Sequence, residues 1–122
     1  LSAQDRGRLP QIIFTDPQVV EVGYTEATAR AAGFAVTTRN QTYPGGLGEL
    51  LILRDGFVAE AKLVIDADRA TLLGATFVGP NVAELVHGAT VAVVGEVPLP
   101  VLRHAIAPHP SLSQIWNPLL AG

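Results

Sequence analysis

Apolar and polar residues alternate along the run 57–66, and this alternation predicts a β-strand with one buried and one solvent-facing side. The apolar side comprises Phe57, Ala59, Ala61, Leu63 and Ile65. Glu60, Lys62 and Asp66 occupy the other side and are predicted to contact solvent. Because Asp55-Gly56 is typical of a two-residue hairpin turn, the runs 49–54, 57–66 and 71–78 are predicted to form a three-stranded antiparallel meander.

Helical patterns precede and follow this meander. Thr25 is predicted to cap a helix over 26–32 that ends at Gly33, between extended runs at 12–14, 19–24 and 34–42. A longer helix is predicted from Asn81, as its N-cap, to about Gly95, and shorter ones near 101–104 and from residue 111 or 112. The order of these elements predicts an α+β fold, in which an antiparallel β-sheet carries helices packed on one side.

The long helix is apolar on nearly all sides. One face, at helical spacing, comprises Val82, Leu85, Val86, Ala89 and Val93. Val91, Ala92 and Val94 make the other side apolar as well. A domain of 122 residues has little interior in which to bury such a helix completely. The pattern therefore predicts that this helix contacts a second subunit.

Composition excludes several classes of function. The net charge is −3 and the Lys and Arg residues are scattered, so the basic surface of a nucleic-acid-binding protein is absent. Since there is no cysteine, any thiol chemistry requires residues from outside these 122. No apolar run reaches the roughly 18 residues of a membrane-spanning helix. The N-terminus also lacks a signal-peptide core, so a cytoplasmic protein with no membrane contact is expected.

Three motifs resemble binding sites but lack essential parts. Gly45-Gly46-Leu47-Gly48 has neither the lysine of a P-loop nor the GxGxxG spacing, which favours a surface loop. Asp66-Ala67-Asp68 begins like a calcium loop but lacks its glycine and closing glutamate, which favours a turn between strands. Glu84 and His87 lie one turn apart on the long helix, as in di-iron proteins, yet further ligands are missing, so no metal site is predicted.

His109 differs from these motifs because of its neighbours. It lies between Pro108 and Pro110, whose rings fix the backbone φ on both sides, just before a predicted helix start. Gln114 falls about one helical turn after that start, from where its side chain can fold back toward the imidazole. On these residues alone a structural histidine is favoured over an acid–base group, since a lone histidine is a weak catalytic signal.

The segment 107–114, which reads APHPSLSQ, resembles the C-terminal signature of the flavin-dependent pyridine nucleotide-disulfide oxidoreductases, usually HPTxSE. This family includes glutathione reductase, dihydrolipoamide dehydrogenase and mercuric reductase. Other segments agree with the family in the same order along the chain: Phe14-Thr15-Asp16-Pro17, Val22-Gly23-Tyr24-Thr25-Glu26, Ala61-Lys62-Leu63-Val64, Leu73-Gly74, Val78-Gly79-Pro80 and Ala83-Glu84-Leu85. The resemblance covers nearly the whole chain from Pro10 onward.

The resemblance implies a domain rather than a whole enzyme. In the family, segments that bind FAD and NAD(P)H and carry the redox-active disulfide lie upstream, and none of them is present in these 122 residues. Residues 1–9 are therefore expected to be a linker from those domains, and residues 10–122 the dimerisation (interface) domain of a homodimer. FAD and NAD(P)H are implied for the parent enzyme, with no cofactor bound by this domain alone.

The resemblance also implies catalytic roles for His109 and Gln114. The family's histidine at the position of His109 reaches across the dimer as acid and base for thiol–disulfide chemistry, so His109-Pro110 would approach the partner's flavin. The family's glutamate, which orients that imidazole and stabilises its charged form, is replaced by Gln114. A carboxamide still forms hydrogen bonds but brings no negative charge, so a weaker base is predicted.

Two hypotheses about function remain open at this point. In the first, the parent chain is a flavin- and NAD(P)H-dependent oxidoreductase that acts on a disulfide or a related acceptor, with His109 donated across the dimer. In the second, the domain is a purely structural homodimerisation module of a flavoprotein without disulfide reductase activity. A pair of cysteines upstream would distinguish the two.

Overall fold

A computed structural model describes residues 6–43, 59–108 and 111–121 of the chain. The strands are β1 (Gln11–Ile13), β2 (Gln18–Gly23), β3 (Val36–Tyr43), β4 (Ala59–Asp66) and β5 (Thr71–Gly79). The helices are α1 (Glu26–Ala31), α2 (Ala83–Val94), α3 (Leu99–Leu102) and α4 (Trp116–Leu120), with short 3₁₀ turns at Arg6–Arg8 and Leu112–Ile115. The predicted strand 49–54 and the Asp55-Gly56 turn lie outside the described residues.

The strands form one five-stranded antiparallel sheet in the order β1-β2-β5-β4-β3. β4 pairs with β5 on one side and with β3 on the other, where Val36 lies opposite Asp66 and Tyr43 opposite Ala59. The meander is therefore β3-β4-β5, and the prediction of 49–54 as the neighbour of the middle strand is wrong for residues 59–66. A hairpin signal reports only on local pairing, whereas β3 pairs with β4 along all eight of its residues.

The main core lies between one face of this sheet and α2. The predicted alternation in the middle strand is confirmed, because Ala59, Ala61, Leu63 and Ile65 are all buried. The helices cover them with eight buried residues: Leu85, Val86, Ala89, Ala92, Val93, Leu99, Leu119 and Leu120. The predicted α+β fold is thus confirmed. Ala92 belongs to this buried face rather than to the outer side of α2, where the spacing argument placed it.

The short helix α1 covers the opposite face of the sheet, so the predicted packing of helices on one side holds for α2, α3 and α4 but not for α1. Its Ala29 packs with Val36 and Val64 in a small second core. Thr25 caps α1 as predicted, since its hydroxyl accepts a hydrogen bond from the Thr28 amide at 3.1 Å. The helix stops before Gly33, whose φ of +94° is the left-handed conformation expected of a glycine at this place.

Glu26 pairs with two cations, Lys62 on the sheet and Arg30 one turn later in α1. Its carboxylate accepts hydrogen bonds from Lys62 Nζ on β4 at 3.0 Å and from the Arg30 guanidinium at 3.1 Å. The bond from Lys62, and then that from Arg30, lowers the pKa of Glu26 below its ordinary value. The stabilisation that these ion pairs give the folded domain is therefore present above the pKa that Glu26 has in the unfolded chain. It is lost as the pH falls through the lowered pKa of Glu26 in the folded domain.

Two predicted positions differ in the structure. Asn81 does not cap α2: it has a left-handed backbone with φ +60°, and the N-cap position is Val82, which makes no side-chain capping bond. Asparagine tolerates this conformation well, so it serves the turn instead of the cap. Asp66 is only 4% exposed, so the predicted contact with solvent is wrong; its Oδ1 instead accepts hydrogen bonds from the amides of Asp68 and Arg69 at 3.0 and 3.1 Å. The same bonds confirm the predicted turn between β4 and β5.

Gly23 and Gly74 face each other where β2 pairs with β5. The backbones approach so closely that a Cβ on Gly74 would lie 1.9 Å from the carbonyl oxygen of Tyr24, and a Cβ on Gly23 would lie 2.1 Å from that of Leu73. Gly23 also has a φ of +74°. Both positions therefore require glycine, which is consistent with their place in the segments that resemble the family.

Replacing Gly74 with alanine should lower the free energy of unfolding by about 1–3 kcal/mol, because backbone atoms must move to admit the methyl group. Urea denaturation of the 122-residue chain followed by circular dichroism measures this change. Gly7→Ala is the matched control, since a Cβ at Gly7 meets nothing within 4 Å. Equal stability of the two variants would contradict the close approach of β2 and β5.

Candidate functional site

The segment 105–121 carries the residues that the sequence singled out for chemistry. His109 and Pro110 lie outside the described residues, whereas Pro108 and residues 111–121 are described. Ser111 is the N-cap of the 3₁₀ turn Leu112–Ile115, which continues into α4. The prediction that helical structure begins near residue 111 or 112 is confirmed.

Ser111 forms hydrogen bonds to residues on both sides of it in the chain. Its hydroxyl donates a hydrogen bond to the carbonyl of Pro108 at 2.7 Å. Its amide donates to Gln114 Oε1 at 3.2 Å, and the Gln114 amide in turn donates to the Ser111 carbonyl at 3.2 Å. The Gln114 side chain thus folds back over the first turn, and its carbonyl end binds the backbone there; the predicted contact with the imidazole involves His109, which lies outside the described residues.

Asn117 is a site residue that sequence reasoning missed. Its Oδ1 accepts a hydrogen bond from the Ala107 amide at 3.2 Å, ten positions earlier in the chain. The sequence offered one signal, a polar side chain between Trp116 and Pro118 in the otherwise apolar run after Gln114. Which backbone group this asparagine binds depends on the path of the chain between α3 and α4, and residue spacing does not contain that information.

The C-terminal helix that carries Asn117 is attached firmly to the core. Ile115 and Leu119 are 1% exposed, and the ring of Trp116 lies 5.5 Å from that of Phe77, between centroids, at an interplanar angle of 59°. Arg39 of β3 donates hydrogen bonds to the carbonyl oxygens of Leu119 and Ala121 at 2.9 and 3.2 Å. These contacts make α4 a fixed support for the segment before it.

An apolar cleft of about 240 Å³ lies beside this segment. The residues that line it come from α2, α3, α4 and the chain between them: Gly88, Leu102, Ala105, Ala107, Pro108, Ser113, Trp116 and Leu120. The cleft places apolar surface next to the two residues that precede His109 in the sequence.

A second cleft, of about 320 Å³, lies between the N-terminal 3₁₀ turn and the end of α2. Its wall carries Arg8, Arg69 and Glu96. The Glu96 carboxylate is 3.3 Å from the Arg8 guanidinium and 3.6 Å from that of Arg69, so the charges in this cleft are largely paired with one another. The arrangement ties residues 6–8 to the domain.

The outer face of α2 consists of Glu84, His87, Val91 and Val94, which are spaced one helical turn apart. All four are exposed, and the two valines retain 54% and 48% of their accessible surface. The C-terminal half of this face is therefore an apolar surface that the domain itself does not cover. Glu84 and His87 are not joined by further ligands, because the described residues contain no group of three or more His, Cys, Asp or Glu that could hold a metal ion.

The other motifs from the sequence contribute no described site. The glycine run 45–48 lies outside the described residues, and Asp66-Ala67-Asp68 forms the turn between β4 and β5. Within the ranges that the structure describes, every helix is too short or too polar to cross a membrane.

Residues 9–119 match the protein family described as pyridine nucleotide-disulphide oxidoreductase, dimerisation domain. The chain belongs to this family. The match confirms the resemblance that was inferred from the signature at 107–114 and from the ordered segments upstream of it. The members of this domain family are parts of larger oxidoreductases, as the relatives below illustrate.

Two relatives show the extent of the similarity. The dihydrolipoyl dehydrogenase of Zymomonas mobilis subsp. mobilis is 39% identical over 110 residues, which are 89% of this chain and 23% of that protein. Dihydrolipoyl dehydrogenase 2 of Haloarcula marismortui is 35% identical over 114 residues, 93% of this chain and 24% of that protein. The chain thus spans about a quarter of the length of the relatives that it matches.

Solved structures agree with this assignment of the fold. The HOCl-induced flavoprotein disulfide reductase RclA of Escherichia coli superposes with a TM-score of 0.77 at 27% identity, over 98% of this chain and 27% of that one. LpdA of Mycobacterium tuberculosis has a TM-score of 0.75 at 20% identity, over 93% of this chain and 24% of its own, and supports the fold alone.

Proposed function

We propose that this domain joins two copies of a flavin- and NAD(P)H-dependent disulfide oxidoreductase and supplies His109 as an acid–base group to the partner's redox site. Family membership carries the proposal. The hydrogen bond from the Ser111 hydroxyl to the Pro108 carbonyl supports the part that concerns His109, because it joins the described residues on either side of positions 109 and 110.

The outer face of α2 is the surface that we assign to the homodimer. Val91 and Val94 leave an apolar patch exposed on a helix whose inner face is fully used by the core. In a two-fold contact the same patch of both subunits is at the interface, so the outer face of α2 in one subunit can cover that of α2 in the other. Burial in a dimer would remove these side chains from water, which a single domain does not do.

The proposed chemistry of His109 follows from the needs of thiol–disulfide exchange. A thiolate is the attacking group and another thiolate leaves, so a neighbouring base takes the proton of the first thiol and an acid returns a proton to the second. An imidazole, with an ordinary pKa of about 6.5, can do both near neutral pH. The thiols themselves come from outside this cysteine-free chain, either from upstream segments or from a dithiol substrate of the dihydrolipoamide type.

The proposal places FAD and NAD(P)H in the upstream part of the parent protein. Clefts of about 240, 310, 320 and 380 Å³ in the described part of the domain lie near the lower end of the roughly 300–1,000 Å³ usual for drug-sized ligands, and FAD exceeds that class. When bound, the flavin would supply electron transfer between NAD(P)H and the disulfide. The role of this chain would be to dimerise and to hold a proton donor and acceptor beside the disulfide.

Gln114 is proposed to orient His109 without charging it. Its Oε1 already accepts the Ser111 amide, so the carboxamide is fixed at the start of the turn. A neutral amide leaves the imidazolium less stabilised than a carboxylate would, since hydrogen bonds to a charged group contribute about 1.5–3 kcal/mol against about 1 kcal/mol for neutral pairs.

Replacing Gln114 with glutamate should raise the pKa of His109, because a carboxylate favours the protonated imidazole. The change should also keep the cap on Ser111, as Ser-x-x-Glu is a capping-box sequence. The pKa of His109 is measured from the pH dependence of its ring resonances in NMR spectra. His104, five residues earlier and exposed, is the internal control. An equal titration of His109 in both proteins would argue against contact between the two side chains.

A second candidate, the purely structural dimerisation module, is favoured by one observation. Gln114 stands where the family carries an acid, and its carbonyl end is used to cap the backbone, a role that needs no catalysis. Steady-state assays of the full-length protein with NAD(P)H and with lipoamide or glutathione disulfide decide between the two. Flavin that is reduced by NAD(P)H but not reoxidised by any disulfide would favour the structural module.

A further inference from the structure

Asn117 holds the chain that leads into residue 109. We propose that Asn117 is a positioning residue for the proposed acid–base site, because its bond to the Ala107 amide fixes the backbone two residues before His109. The bond is 3.2 Å long and part-buried, where water competes less for the donor and acceptor than at the surface. The inference deepens the proposed function and rests on it.

The asparagine can position its partner because its own position is fixed. It follows Trp116, which packs on Phe77, and precedes Leu119, which is buried in the core. The end of the same helix is held by Arg39. The Asn117–Ala107 bond therefore connects the backbone before His109 to the sheet and the core of the domain.

Packing does little to hold the approach to His109. Arg103, His104, Ala105 and Ile106 are all exposed, and Ala107 is only half-buried. Such a stretch gains little order from burial. The hydrogen bond from Ala107 supplies the constraint that packing does not.

A second bond, from the Ser111 hydroxyl to the Pro108 carbonyl, joins the described residues on either side of positions 109 and 110. Residues 108 and 110 are prolines, which fix φ at about −65° and also restrict the residue before each of them. Asn117 and Ser111 thus constrain the described backbone on the two sides of His109.

The test compares Asn117→Leu, which has a similar size but no acceptor, with Asn117→Asp, which retains one. Both are made in the full-length protein, and the two half-reactions are followed separately by flavin absorbance. Asn117→Leu should slow the reaction of the reduced enzyme with the disulfide about tenfold or more, since a displacement of the reacting group by 1 Å costs up to about 100-fold. The rate of flavin reduction by NAD(P)H should not change.

Asn117→Asp should restore most of the lost rate when each variant is assayed at its own pH optimum, which removes the effect of the added charge on the imidazole. Asn40→Leu, at an exposed position on β3, is the matched control and should leave both half-reactions unchanged. The inference would be overturned if Asn117→Leu lost no activity, lost it equally in both half-reactions, or weakened the dimer. It would also be overturned if Asn117→Asp did not restore the rate.

Amide hydrogen exchange of the full-length protein separates this inference from the proposed function. The Ala107 amide should exchange about fivefold faster or more in Asn117→Leu, as expected for the loss of one hydrogen bond. Unchanged exchange overturns the positioning role even if His109→Ala behaves as the proposed function requires. A His109→Ala variant that keeps the normal rate of the thiol–disulfide half-reaction, in contrast, overturns the proposed function whatever the exchange rate of the Ala107 amide.

Discussion

Replacing His109 with alanine in the full-length protein should slow the thiol–disulfide half-reaction by about 10²–10⁴-fold, the range typical of a lost general acid–base group. Reduction of the flavin by NAD(P)H should continue at its normal rate, because that step needs no proton transfer by His109. Stopped-flow absorbance of the flavin resolves the two half-reactions. The remaining slow reaction should depend on pH through the thiol alone.

His104→Ala is the matched control for this experiment. His104 is an exposed histidine of the segment between α3 and residue 109, and no role is assigned to it. The control variant should retain normal rates in both half-reactions. If both variants were equally active, His109 would be a structural residue and the dimerisation-only function would be favoured.

Replacing Val91 and Val94 together with aspartate should weaken the homodimer at least about 100-fold. The two-fold contact would have to bury four unpaired carboxylates, and each ionised group carries a desolvation cost of several kcal/mol. Sedimentation velocity over a range of concentrations measures the dissociation constant. Val91→Thr with Val94→Thr is the control, because threonine keeps the shape of valine and adds no charge.

The same aspartate variant connects the dimer to catalysis. Since the proposed site is completed by the partner's His109, conditions that give monomers should remove the thiol–disulfide half-reaction and leave flavin reduction by NAD(P)H. The helical circular dichroism should persist, because both valines lie on the outer face of α2. A fully dimeric aspartate variant would exclude this face as the interface.

The strands of the sheet could be predicted closely from the sequence, but their partners could not. The alternation of Ala59, Ala61, Leu63 and Ile65 lies within one short segment, and it predicted which side of β4 is buried. Pairing depends on which distant segment reaches β4, and β3 takes the place that the local turn signal assigned to 49–54. Asp66 was misplaced for the same reason, since its partners are amides of a turn.

The candidate site divides in a similar way. The segment 107–114 could be found from the order of its residues, and the return of Gln114 toward the start of its turn follows from helical spacing. Asn117 could not be found, because its partner Ala107 lies across a change in chain direction between α3 and α4.

The sequence by itself determined the family, the α+β class and the residues that could carry out proton transfer. These depend on the order of motifs and on the spacing of apolar residues, both of which can be read without the three-dimensional structure. Only the tertiary structure decided which face of α2 stays uncovered, where β3 pairs, and that Asn117 holds the backbone before His109. These depend on contacts between residues far apart in the chain, whose geometry is set by how the whole sheet and its helices pack.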